Sequence, residues 1–93
     1  MTYEFKIKPE REIGIHLGPG TLFVRELQKY EKQGIKCVYK IRDKLYSADD
    51  GITPIVGADS ETDITMIIES ELTEEQKQEI KENFQSAICF NLF

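Results

Sequence analysis

The sequence lacks the features by which membrane proteins and most metal-binding domains are recognised. Its 93 residues include two cysteines and one histidine. No apolar run approaches the ~20 residues that are needed to cross a bilayer, and the alternating N-terminal residues lack the apolar middle of a signal peptide. Cys37 and Cys89 lie far apart without metal-type spacing, which fits two thiols in a reducing cytoplasm better than one disulfide. We therefore expect a cytoplasmic protein with no membrane segment and no metal site.

The shortness of the chain limits what it can enclose. Residues 1–93 make one domain, and a chain of this size buries only about 60–65% of its unfolded surface. Little room remains for both a core and an enclosed active site, so we predict a binding protein with no enzymatic activity and no cofactor. His16 has no evident serine or cysteine partner, and a small enzyme that uses His16 is the weakest of three hypotheses.

Basic residues are scarce in the C-terminal half. Residues 45–93 carry two basic and eleven acidic side chains, a charge of −9 in a chain whose net charge is −5, whereas residues 25–44 carry +4. A surface of this sign repels phosphates, so we expect no direct binding of nucleic acid. A basic protein surface is the natural partner. The candidate partner-binding acids are Asp49, Asp50, Asp59, Glu61, Asp63, Glu71, Glu75, Glu79 and Glu82.

This size and charge are those of immunity proteins, antitoxins and phage-encoded inhibitors of nucleases. We therefore predict a non-enzymatic inhibitor whose acidic half docks on a nuclease or another nucleic-acid-handling enzyme. The comparison rests on size and charge alone and involves no shared sequence motif.

Alternation of polar and apolar residues predicts the strands. The predicted strands are 2–8, 13–17, 35–42, 45–47 and 63–69. The last of these has apolar residues on both faces, which indicates a central strand. Residues 89–93 are either a short final strand or an exposed apolar tail. Residues 52–62 are predicted to form a loop.

Two helices are predicted from their end signals. Pro19 suits the first position of a helix that Gly34 and Ile35 terminate. Thr73 and Gln76 form a capping box that opens the second helix. The buried stripe of that second helix comprises Ile80, Phe84, Ala87 and Ile88.

The order of these elements from Ile13 predicts a two-layer α+β fold. An antiparallel sheet of four to six strands would carry two helices on one face, in the ferredoxin-like (split βαβ) order. The strand at 2–8 would then be an N-terminal addition. The alternative is another two-layer sheet in which a hairpin through residues 9–11 makes the N-terminal strand integral.

The segments Leu17-Gly18-Pro19-Gly20-Thr21-Leu22 and Gln33-Gly34-Ile35 give the chain a resemblance to ACT-type regulatory domains. The resemblance implies a ferredoxin-like fold, pairing between two protomers and an amino acid bound near Gly18, Gly20 and Thr21. A homodimeric small-molecule sensor is therefore the alternative function. The same turn lacks the lysine of a P-loop, so its glycines are better explained as the start of a helix.

Overall fold

Four strands and two helices make up the part of the chain that the computed structural model describes, residues 2–9, 17–59 and 61–89. The strands are β1 (Thr2–Ile7), β2 (Lys36–Ile41), β3 (Lys44–Tyr46) and β4 (Ile64–Glu69), and the helices are α1 (Leu17–Lys32) and α2 (Glu74–Ile88). A 3-10 helix, Ala48–Asp50, lies between β3 and β4. The predicted two-layer α+β class agrees with this structure.

β4 is the central strand of the sheet. The strand order is β1-β4-β2-β3, and every neighbouring pair is antiparallel. Ile64, Met66 and Ile68 are buried on one face of β4, while Ile67 is half-buried on the other. Apolar residues on both faces are typical of a strand with neighbours on both sides. The predicted central position of residues 63–69 is confirmed.

The N-terminal strand is an edge strand of the sheet, which fits both the predicted added strand and the alternative in which it is integral. β1 pairs with β4 over six residues, from Thr2 opposite Glu69 to Ile7 opposite Ile64. β1 and β2 therefore run parallel to each other on either side of β4. The ferredoxin-like order itself is not confirmed. Most of the first strand expected for it, 13–17, and most of the last, 89–93, lie outside the described residues.

Both helices cover the same face of the sheet, and Phe84 of α2 lies where the helices and the sheet meet. Its ring centroid is 6.4 Å from that of Phe5 in β1, 5.6 Å from Phe23 and 5.7 Å from Tyr30, both in α1. Phe23 also packs edge-to-face on Tyr39 of β2 at 4.9 Å. Such ring pairs add about 0.5–1.5 kcal/mol each to the free energy of area burial.

The ends of the helices follow the predicted signals. Thr73 Oγ1 accepts from the Gln76 N–H at 3.1 Å, and Gln76 Oε1 accepts from the Thr73 N–H at 2.9 Å. Gly34 has a φ of 80°, and the Ile35 N–H donates to the Tyr30 carbonyl at 2.9 Å, which ends α1 as expected. α1 begins earlier than predicted, at Leu17. Pro19 then occupies its first turn, where an N–H has no intrahelical partner.

A two-residue turn joins β2 to β3. Ile41 pairs with Lys44, and the intervening Arg42 and Asp43 have φ values of 51° and 67°. Two positive φ angles define a type I′ turn, which asparagine and glycine adopt with least strain. Arginine and aspartate at these positions therefore store conformational strain in the hairpin.

Replacing this turn by R42N/D43G should stabilise the protein by about 1 kcal/mol, because both new residues tolerate a positive φ. Urea unfolding followed by circular dichroism measures the change. K40Q is the control, since Asp43 forms an exposed ion pair with Lys40 at 3.7 Å that the turn variant also removes. A turn variant that is less stable than the original chain would contradict the strain assigned to these two residues.

Candidate functional site

Three of the predicted partner-binding acids share the exposed face of α2. Ile80, Phe84, Ala87 and Ile88 are buried as expected, and Glu75, Glu79 and Glu82 are exposed away from them. At 1.5 Å of rise per residue, these three carboxylates form a row about 10 Å long. We call this row the acidic row of α2.

The lysines of the two helices compensate part of the acidic row, and the exposed Lys81 directly precedes Glu82. Lys77 points toward the sheet, where its ammonium lies 3.2 Å from Glu74 and 5.5 Å from the centroid of the Tyr3 ring. Lys29 in α1 lies 3.4 Å from Glu26. Burial acts to lower the pKa of Lys29, but Glu26 and, more weakly, Glu79 outweigh it and raise that pKa. Glu79 is thus partly compensated.

Within the described part of the chain, neither Glu75 nor Glu82 forms an ion pair. Glu82 accepts a hydrogen bond from the Gln78 amide at 2.8 Å. Like charges one helical turn apart destabilise a helix by about 0.2–0.5 kcal/mol per pair. Glu79 stands one turn from both Glu75 and Glu82, and this repulsion is offset in part because Glu75 lies in the first turn of α2, where the helix dipole favours an acid.

The other predicted acids lie elsewhere. Asp49 and Asp50 belong to the 3-10 helix, which packs against α1, and Asp49 shares a groove with Gln28 and Lys32. Asp50 has a structural role, because its Oδ2 accepts from the Ser47 N–H at 2.8 Å and caps that 3-10 helix.

Of the acids near β4, Asp59 and Asp63 interact with neighbouring residues, whereas the side chains of Glu61 and Glu71 are exposed. Asp59 Oδ1 accepts from the Glu61 N–H at 2.9 Å and from the Thr62 hydroxyl at 3.2 Å. Asp63 lies 3.8 Å from the Lys8 ammonium in an exposed ion pair. The nine acids are therefore distributed over several parts of the surface, and the row on α2 is the group that one element brings together.

The alternative ligand site lies at the start of α1. Gly18 is half-buried and Gly20 is buried. A Cβ at Gly20 would lie 3.4 Å from Val56 Cγ2 and 3.5 Å from Ile55 Cγ2, which is ordinary van der Waals contact. The loop after the 3-10 helix thus packs next to Gly20, and a Cβ could be accommodated at this position. Thr21, the third residue of this candidate site, is half-buried in the same turn.

Few of the described side chains are candidates for a nucleophile or a metal ligand. Cys37 is buried, and burial followed by the charge of Glu31 raises the pKa of its thiol to about 12, so it is a core residue and a poor nucleophile. His16 lies outside the described residues. Among residues 2–9, 17–59 and 61–89, no three His, Cys, Asp or Glu side chains are grouped as metal ligands would be.

A cleft between the β2–β3 hairpin and the following loop was not predicted. It encloses about 350 Å³, and Arg42, Lys44 and Tyr46 line it from the hairpin side. The other wall comes from Pro54 and Val56 of the loop. The signal in the sequence is weak, since it consists of two basic residues around a two-residue turn without glycine or asparagine.

No protein-family model matches the chain, and no curated protein matches its sequence significantly. In the described part of the chain, neither helix is long and apolar enough to span a membrane. Function is therefore inferred from the geometry of the chain itself.

The Tyr39 hydroxyl is buried and has no hydrogen-bond partner among the residues that the structure describes. Burial, followed by the nearby charges of Asp50 and Tyr46, raises the pKa of this hydroxyl. Tyr30 is also buried, but its hydroxyl accepts from the Asn83 amide at 2.9 Å, which joins α1 to α2. The two tyrosines thus offer a matched comparison of an unsatisfied and a satisfied hydroxyl.

Removal of the hydroxyl should have opposite effects at these two positions. Y39F should raise the free energy of unfolding by about 1 kcal/mol, since a desolvated group without a partner is lost. Y30F should lower it by about 1–2 kcal/mol, since the Asn83 amide loses its acceptor. Urea unfolding of both variants measures the difference. If both substitutions destabilised the protein equally, the Tyr39 hydroxyl would have to be satisfied in solution.

Proposed function

We propose that the chain is a non-enzymatic binding protein that docks on a basic protein surface through the acidic row of α2. The observation that supports this proposal is a row of exposed carboxylates on one helix face. Surface charge is more often a device for solubility, but such charge is usually mixed in sign along a helix. Here one exposed lysine, Lys81, adjoins the three carboxylates of the row, and the other lysine of α2, Lys77, is paired with Glu74.

The proposed partner is a nucleic-acid-handling enzyme such as a nuclease. Proteins that bind phosphates present clusters of lysine and arginine. A row of carboxylates on a helix carries the opposite charge and is therefore complementary to such a cluster. Docking of this kind would block the basic surface and so inhibit the enzyme. Direct binding of nucleic acid to the same row is disfavoured by charge repulsion.

The proposed setting is the cytoplasm. Cys37 and Cys89 are both free thiols, and Cys37 is a buried part of the core. Free thiols persist in reducing compartments, whereas the cysteines of small secreted domains commonly form disulfides.

Charge reversal in the acidic row tests the proposed function. E75K/E82K should weaken binding to a basic partner about tenfold to a hundredfold, because attraction becomes repulsion at two positions. The matched control is E4K/E31K, which makes the same change in net charge at two exposed residues on β1 and α1. Immobilised original, E75K/E82K and E4K/E31K proteins would be compared in host lysate by quantitative mass spectrometry.

A supporting result is a basic enzyme that the original protein and E4K/E31K retain and E75K/E82K loses. The purified enzyme should then bind with an affinity that falls as salt rises, and its activity should be inhibited by the original protein. Partners retained equally by all three baits would contradict a docking role for the row. Circular dichroism of the three proteins establishes that the fold is unchanged.

A further inference from the structure

The cleft beside β3 has a positively charged wall. Lys44 pairs with Ile41 and Tyr46 pairs with Tyr39 across the β2–β3 ladder. Residues paired directly across a ladder lie on the same face of the sheet. Ile41 and Tyr39 are buried under the helices, so Lys44 also lies on the core-facing side of the sheet. Lys44 is exposed on this edge strand, so its charge is open to a partner, whether an acidic side chain or a bound anion.

The two cations of the cleft lack such a partner in the described part of the chain. Neither Arg42 nor Lys44 forms an ion pair there. The nearest acids in sequence are otherwise engaged, since Asp43 lies 3.7 Å from Lys40 and Asp59 accepts hydrogen bonds within its own turn. The positive charge of Arg42 and Lys44 is therefore available to a bound anion.

The rest of the lining is suited to an apolar group. Tyr46 is half-buried and packs on Tyr39 with ring centroids 5.5 Å apart, and Pro54 and Val56 lie across the cleft from it. The volume of about 350 Å³ lies at the lower end of the range for small-molecule sites. The exposed lining of the cleft is more polar than apolar, so the apolar contact that it offers a ligand comes from these three side chains.

The strained turn is a second, independent observation. Arg42 and Asp43 both have a positive φ, a conformation that other residues adopt with less strain. Strain of this kind concentrates at sites where a side chain is needed for function. The turn holds the backbone of Arg42 at the rim of the cleft, next to Lys44.

We propose that this cleft binds a small aromatic anion. The guanidinium of Arg42 and the ammonium of Lys44 would contact its carboxylate or phosphate group, since the planar arginine fork matches both kinds of oxygen group. The planar apolar body would pack against Tyr46, Pro54 and Val56. This site is separate from the acidic row of α2 and does not depend on the proposed function.

Titration of the labelled protein with phenyl phosphate, benzoate, inorganic phosphate and benzyl alcohol, followed by amide NMR spectra, tests the proposal. We expect saturable shifts at residues 41–46 and 55–58 with the two aromatic anions. Inorganic phosphate, without the apolar body, and benzyl alcohol, without the charge, should bind at least about tenfold more weakly. The stronger of phenyl phosphate and benzoate identifies the anionic group.

Three variants assign the binding to the two cations. R42Q/K44Q should weaken binding of the better aromatic anion at least about tenfold, whereas R25Q/K32Q, which removes one exposed arginine and one exposed lysine from α1, should leave it unchanged. R42N/D43G should also weaken binding although its fold is more stable, so that unfolding cannot explain the loss.

Several results would overturn the proposal. These are the absence of saturable shifts at millimolar ligand, binding of benzyl alcohol as tight as that of the anions, and unchanged binding by R42Q/K44Q. In the last two cases the lysine on β3 would serve only to deter pairing of this edge strand with other chains, a role that charge alone fulfils.

Discussion

The structure depends on the burial of Phe84 at the junction of the two helices and the sheet. Its ring contacts residues from β1 and α1, while its backbone belongs to α2. In a chain of 93 residues there is one small core, so a single large side chain joins elements that are far apart in sequence. The contacts of Phe23 with Tyr39 and of Tyr30 with Asn83 extend this junction to β2 and along the helix pair.

The same constraint determines where function can be located. The core occupies the inner faces of both helices and one face of the sheet, so binding must use the exposed helix faces, the other face of the sheet or its edges. The two proposed sites lie on α2 and at β3. The acidic row of α2 is displayed on the best-capped helix of the chain, and the cleft is held by a two-residue turn. Both proposed sites are therefore formed by regular backbone, which limits the conformational entropy that is lost on binding.

Sequence patterns predicted the elements whose signals are local. The capping box at Thr73, the stop at Gly34 and the apolar residues on both faces of β4 act within a few positions, and each is found as expected. The place of β1 beside β4 depends on pairs of residues about 60 positions apart, from Thr2 with Glu69 to Ile7 with Ile64, and local periodicity does not reveal such pairs. The cleft combines residues 42–46 with 54–58, and of the residues typical of a type I′ turn its hairpin has one, Asp43, at the second central position. Of the nine predicted acids, helical spacing could group those of α2, but the placement of the others follows from tertiary packing.

The most direct test of this account is amide hydrogen exchange of the original protein and of F84L, with S86A on the exposed face of the same helix as the control. If Phe84 joins the helices and the sheet into one unit, the slowest amides of α1, α2, β1 and β4 should share one opening free energy. F84L should lower that free energy by the same amount in all four elements, and S86A should leave it unchanged. A loss of protection confined to α2 would contradict the account, because the rest of the fold would then be stable without the Phe84 junction.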